Sequence, residues 1–146
     1  RIARELEIED SIVFLGLIRN VIPLLQEAWG FVLPSRWEGM PNALLEAMAC
    51  EVPCISTRVS GSEDIIVNGV NGLLIEPEQP VELAKAMRRL IEDTDLAQSL
   101  AQKGLKTVIR DYQLIRVTEQ TLNLYYRALG RENPIAPRVL EGVGEK

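Results

Sequence analysis

The residues best suited to chemistry lie in one run of sixteen, Pro34-Ser35-Arg36-Trp37-Glu38-Gly39-Met40-Pro41-Asn42-Ala43-Leu44-Leu45-Glu46-Ala47-Met48-Ala49. The apolar run Phe31-Val32-Leu33 precedes it, and Pro34 ends that run because proline cannot donate to a strand ladder. The stretch therefore reads as the exit of a strand, a loop, and the start of a helix. Gly39 lets the backbone pass close to a ligand or take positive φ. Pro41 or Asn42 is placed to open the helix, as N1 or N-cap. The unpaired amides of a first helical turn, with the helix dipole behind them, suit a phosphate.

Glu38 lies before this helix start and Glu46 about one turn beyond it. A carboxylate beside phosphate-binding amides is a poor phosphate ligand, because like charges repel. It is a good acceptor for hydroxyls. The arrangement fits a ligand with hydroxyls at both ends and phosphates between, such as a nucleoside-diphosphate sugar. By spacing alone, the better reading of both residues is as solvated carboxylates, with Glu46 a favourable charge near a helix N-terminus.

Composition narrows the chemistry. The 146 residues contain no histidine, which removes Ser-His-Asp and Cys-His mechanisms and the commonest general base. Sixteen basic against 21 acidic residues give a net charge of −5, so no basic field invites nucleic acid. Cys50 and Cys54 have no further Cys or His to complete a zinc site; they read as small buried apolar residues in a reducing cytoplasm. No metal and no cofactor is expected. Asp93-Thr94-Asp95 has a metal-binding form but sits between two amphipathic stretches. There Asp93 closes one helix and Asp95 caps the next.

The elements that must position the run alternate. Arg1 to Leu6 reads as the end of a helix, so a strand preceding it is expected outside the chain. Four strands are expected at Ile12–Gly16, Phe31–Leu33, Pro53–Thr57 and Gly72–Ile75, each a short apolar run. Helices are expected over Val21–Trp29 and Asn42–Cys50, with one turn at Asp64–Val67. The turn dipeptides Asn68-Gly69 and Asn71-Gly72 lead into the fourth strand. A later helix opens with Pro80 and buries Leu83, Ala84, Met87, Leu90 and Ile91. Further helices follow from Leu96 to Gly104, extending toward Arg110, and from Ile115 to Leu129, with Tyr125 in the core. Residues 131–146 read as a tail or linker after a domain spanning 1–130. Short apolar strands alternating with helices predict an α/β fold, a Rossmann-like parallel sheet covered on both faces.

The run from Pro34 to Ala49 resembles the P-S-x-x-E-G-x-P-x-x-x-x-E-A-M-A signature of retaining GT-B glycosyltransferases of family 4. Val13-Phe14-Leu15-Gly16, Pro53–Thr57, Val59-Ser60-Gly61, Asp64-Ile65-Ile66, Asn71-Gly72-Leu73-Leu74 and Leu83-Ala84 are similar to further segments of that family. Ser60 departs from it, standing where the first of two glycines is usual, and Trp29-Gly30 stands where Ala-Asp is common.

The resemblance implies the C-terminal, donor-binding half of a GT-B fold with its first strand missing. It implies that Glu38 is catalytic and contacts the transferred sugar, and that Glu46 binds the ribose hydroxyls. Gly39, Met40, Pro41, Asn42 and Ala43 would line the sugar and phosphate pocket, and Leu17 would touch the base. The partners implied are a nucleotide-diphosphate sugar donor, an acceptor sugar, lipid or glycan, and an absent N-terminal domain. That domain would carry the cations for the leaving diphosphate and any peripheral membrane contact. Such a fragment would not catalyse transfer alone. A non-catalytic nucleotide-sugar-binding module and a GT-B-fold sugar-nucleotide epimerase remain open beside it. Trp37 either stacks on a ligand or packs under the loop.

Overall fold

The structure, a computed structural model, describes residues 1–134. Helix α1 (Ile2–Glu5) is followed by a 3-10 turn and helix α2 (Ile22–Gln26). Then come strand β1 (Phe31–Leu33), helix α3 (Asn42–Ala49), strand β2 (Cys54–Thr57) and helix α4 (Ser60–Glu63). Strand β3 (Leu73–Ile75) and helices α5 (Pro80–Glu92), α6 (Thr94–Asp111) and α7 (Leu114–Ala128) complete the order. The expected tail lies, from residue 135 onward, outside the described residues.

The sheet is parallel with order β1-β2-β3. Phe31 pairs with Cys54 and Leu33 with Ser56; Ile55 pairs with Leu73 and Thr57 with Ile75. Because side chains alternate along a strand, each strand feeds two cores. Phe31, Leu33, Cys54 and Leu74 face Leu44, Ala47 and Met48 of α3 and Val108 of α6. Val32, Ile55, Leu73 and Ile75 face Leu83, Ala86 and Leu90 of α5 and Ala97 and Leu100 of α6. Helices thus cover both faces, as expected. Helix α6 joins them, its first half against α5 and its second half against α3.

Four expectations change. Ile12–Gly16 is not a strand. A strand persists only through ladder bonds, and β1 pairs with β2 alone among the described strands. Val13 and Phe14 are 78% and 86% exposed. The helical turn expected at Asp64–Val67 lies earlier, at Ser60–Glu63. Helix α5 buries only Leu90; Met87 and Ile91 are exposed along an apolar groove shared with Trp29, Phe31 and Val32. Tyr125 is 65% exposed, not in the core, because α7 buries none of its residues.

Three further differences are smaller. Helix α2 is shorter than Val21–Trp29, and α6 runs its full length to Asp111. The cap of α6 is Asp93 rather than Asp95: its carboxylate accepts the Leu96 amide at 2.9 Å. Cys54 is buried and donates its thiol hydrogen to the Val52 carbonyl, and burial pushes its pKa up to about 12. Cys50 is half-buried, and both cysteines are free.

The two Asn-Gly pairs do more than turn the chain. Asn68 accepts the Leu74 amide at 2.9 Å, fixing the entry to β3. Asn71 is buried; it accepts the Val67 amide at 2.7 Å and donates to the Ile65 carbonyl and the Thr107 hydroxyl, both at 3.0 Å. This side chain ties the loop before β3 to α6. Removing it strands buried polar groups, each worth about 1–3 kcal/mol. Asn71→Ala is expected to lower unfolding free energy by about 2–4 kcal/mol, read by urea denaturation. A change within about 0.5 kcal/mol, the range of an ordinary surface substitution, would contradict this role.

Candidate functional site

The carboxyl ends of β1 and β2 position the site. As β1 leaves the ladder, side chains of β2 take over its carbonyls. Ser56 donates to the Leu33 carbonyl at 3.2 Å, and its hydroxyl lies 2.8 Å from that of the fully buried Ser62. Thr57 donates from its hydroxyl to the Ser35 carbonyl. Ser35 in turn donates to Glu38 Oε1 at 2.7 Å. Glu38 is half-buried, and its backbone carbonyl accepts the Gly61 amide at 3.2 Å.

Gly61 is the tightest point. A Cβ added there would overlap the Gly39 carbonyl oxygen and lie 2.8 Å from its carbon and 3.0 Å from Pro41 Cδ. Only glycine lets the start of α4 lie against the Gly39-Met40 peptide. At Gly39 itself an added Cβ would meet nothing within 4 Å, so Gly39 faces open space.

Helix α3 begins as the spacing requires, with Pro41 as N-cap and Asn42 as its first residue; no side chain caps it. Its first amide is not free, because Asn42 donates to the Met40 carbonyl at 3.0 Å. The Leu44 and Leu45 amides donate to the Pro41 carbonyl. The Gly39, Met40 and Ala43 amides have no acceptor among the described residues. These three donors, with the end of the α3 dipole, are what the site offers an anion.

The site residues stand as follows. Glu38, Gly39, Met40, Pro41, Asn42, Ala43 and Glu46 occupy one continuous loop and helix start. Pro41 is buried against α4; Gly39, Met40, Asn42, Ala43 and Glu46 are exposed. Leu17 follows Gly16 in an irregular segment and is 95% exposed, and none of the hydrogen bonds that hold the loop involves it. Trp37 is 83% exposed, so it does not pack under the loop.

Residues that reasoning from sequence overlooked are those that hold the loop: Ser35, Ser56, Thr57 and Ser62. Their signal was faint, being small hydroxyl residues at a strand end. Gly61 was noticed only as part of a resemblance.

The nearby cations are already engaged. Arg36 pairs with Glu78 at 3.1 Å across a cavity of about 410 Å³ that also touches Pro34, Thr57 and Leu83. Arg58 pairs with Glu76 at 2.8 Å and Glu63 at 3.2 Å. Hydrogen bonds to Glu63 first, and then to Glu76, hold its pKa above the usual guanidinium value. Among the described residues no group of three or more His, Cys, Asp or Glu is arranged to hold a metal. No helix among them is long and apolar enough to cross a membrane.

A parallel sheet covered on both faces, with an open helix N-terminus at the carboxyl end of a strand, defines a ligand-binding α/β domain. Comparison with known proteins makes this specific. Residues 1–93 match the family described as glycosyl transferases group 1, and the chain belongs to that family. It is 33% identical to the N-acetyl-alpha-D-glucosaminyl L-malate synthase of Bacillus anthracis, over 88% of this chain and 34% of that protein. It is 34% identical to the capsular polysaccharide biosynthesis glycosyltransferase CapM of Staphylococcus aureus, over 79% of this chain and 30% of that one.

Among solved structures, sucrose-phosphate synthase from Thermosynechococcus elongatus matches with a TM-score of 0.82 and 27% identity, over 88% of this chain and 33% of that one. Anabaena HepE in complex with UDP-glucose matches with a TM-score of 0.79 and 26% identity, over 84% of this chain and 34% of that one. The fold is that of one half of a GT-B glycosyltransferase. The chain spans about a third of the length of the relatives it matches.

The contact at Gly61 gives a direct test of the site's construction. Gly61→Ala forces the Gly39-Met40 peptide away from α4. A loss of about 1–3 kcal/mol is expected, as for overpacking elsewhere, with displaced Gly39 and Met40 amide resonances. Unchanged stability and unchanged resonances would show that the loop does not depend on this approach.

Proposed function

We propose that this chain binds the nucleoside-diphosphate sugar donor of a retaining glycosyltransferase, with the diphosphate at the start of α3. The observation that carries this reading is the set of three unpaired amides, of Gly39, Met40 and Ala43, lying between Glu38 and Glu46. Three donors and a helix dipole suit a diphosphate. Glu46, one turn into α3 and exposed, binds the ribose hydroxyls. Glu38, held by Ser35, contacts the sugar and is the catalytic carboxylate. Met40, Pro41 and Asn42 shape the wall between them, and Leu17 meets the base. The HepE complex with UDP-glucose, on a similar fold, supports a donor of this class.

The transfer reaction belongs to a larger protein in this reading. Arg36 and Arg58 are committed to glutamates, so the cations for a leaving diphosphate come from a second, N-terminal domain. Electrostatic stabilisation of that charge is commonly the largest catalytic contribution, so this domain alone does not catalyse. The acceptor is a sugar, lipid or glycan. A cytoplasmic site of action, at most peripheral to a membrane, fits the free cysteines.

Isothermal calorimetry with UDP, GDP and ADP tests the reading. Weak binding is expected from amides and dipole alone, with a Kd of about 1 mM for the preferred diphosphate. Glu46→Ala removes charge-assisted hydrogen bonds and is expected to weaken binding at least about tenfold. An unchanged Kd in that variant would remove the ribose assignment, and no binding of any diphosphate would remove the donor site.

A further inference from the structure

Glu38 is held more firmly than a surface carboxylate needs to be. Three groups fix its position. The Thr57 hydroxyl donates to the carbonyl of Ser35, three residues upstream. The Ser35 hydroxyl donates to Glu38 Oε1 at 2.7 Å. The Gly61 amide donates to the Glu38 carbonyl at 3.2 Å. The first begins on β2 and the last on α4, so the loop that carries the carboxylate is tied to both a strand and a helix of the packed fold. Among the described residues Oε2 has no hydrogen-bond donor and no arginine or lysine pairs with Glu38. Only one oxygen is thereby committed, and the other is left aimed by its partner's bond.

We propose that Ser35 is a positioning residue: by occupying Oε1 it presents Glu38 Oε2 to a hydroxyl of the donor's sugar, and so sets discrimination between the sugar nucleotide and the free diphosphate. The inference rests on the donor-binding reading above and adds what Ser35 contributes to it. A carboxylate free to rotate loses alignment toward one hydroxyl, whereas the amides that hold the diphosphate do not depend on Ser35. Loss of the Ser35 hydroxyl therefore affects the sugar and spares the diphosphate. A residue needed only for folding would affect both alike. Threonine retains the hydroxyl and restores the bond.

The experiment compares the wild-type chain with Ser35→Ala, Ser35→Thr and Glu38→Gln. Each is titrated with UDP-glucose, GDP-mannose and ADP-glucose and with the three free diphosphates, followed by NMR. For the pair that binds wild type, Ser35→Ala is expected to weaken the sugar nucleotide about fivefold and to leave the diphosphate within about twofold. Ser35→Thr is expected to restore sugar-nucleotide affinity, and Glu38→Gln to lose it without loss of the diphosphate. Equal weakening of both ligands, or of neither, by Ser35→Ala while wild type binds would overturn the positioning role and leave the donor site standing. Absence of binding by every sugar nucleotide and diphosphate to wild type would overturn the donor site and this inference together.

Discussion

The peptide between Gly39 and Met40 lies, through the Gly39 carbonyl, against the backbone of Gly61, closer than any side chain would permit. On this approach the rest of the site depends. It brings the start of α4 to the loop after β1 and lets the Gly61 amide bond the Glu38 carbonyl. It buries Pro41 as the first corner of α3. The backbone amides of Gly39 and Met40 are left without an acceptor among the described residues. Hydroxyls from Ser56 and Thr57 continue the same work along the strand end, donating to the carbonyls of Leu33 and Ser35. The site is thus a backbone feature, held by small residues, on which two carboxylates are mounted.

The electrostatics follow from that design. A diphosphate carries several negative charges, and a helix terminus contributes only about 0.3–1 kcal/mol per charge at exposed sites. The chain is itself acidic, with a net charge of −5. Arg36 joins the loop after β1 to that after β3 through Glu78, and Arg58 joins the end of β2 to α4 through Glu63 and to the end of β3 through Glu76. Such exposed pairs add little to stability, yet they engage both Arg36 and Arg58. In the proposed reading, binding determinants for a donor reside here, while strong charge neutralisation comes from a second domain. That division accords with relatives about three times the length of this chain.

Much of this was legible in the sequence. Glycine and proline punctuation marked the exits of β1 and the start of α3. Apolar runs located three strands to within a residue or so, because strands buried on both faces need unbroken apolar character. The two-sided α/β layout followed from the alternation. The failures share one cause: an apolar pattern says that a face wants cover, not what covers it. Ile12–Gly16 has strand character but no ladder partner among the described strands. Tyr125 on α7 and Leu129 at its C-cap are both exposed, and α7 buries none of its residues among those described. At the site, the carboxylates and Gly39 were visible from type and spacing. The bonds from Thr57 to Ser35 and from Ser35 to Glu38 were not, since hydroxyl pairing across 22 residues of chain leaves no periodic trace.

The central claim is that the amides opening α3 receive a diphosphate. Its most direct measurement is a ¹⁵N–¹H titration of the chain with UDP, GDP and ADP, following each backbone amide. The account predicts that the largest shifts fall on Gly39, Met40 and Ala43, with Asn42, already bonded to Met40, moving less. Shifts concentrated instead at the cavity bordered by Arg36, Glu78 and Leu83, with those three amides unmoved, would contradict it.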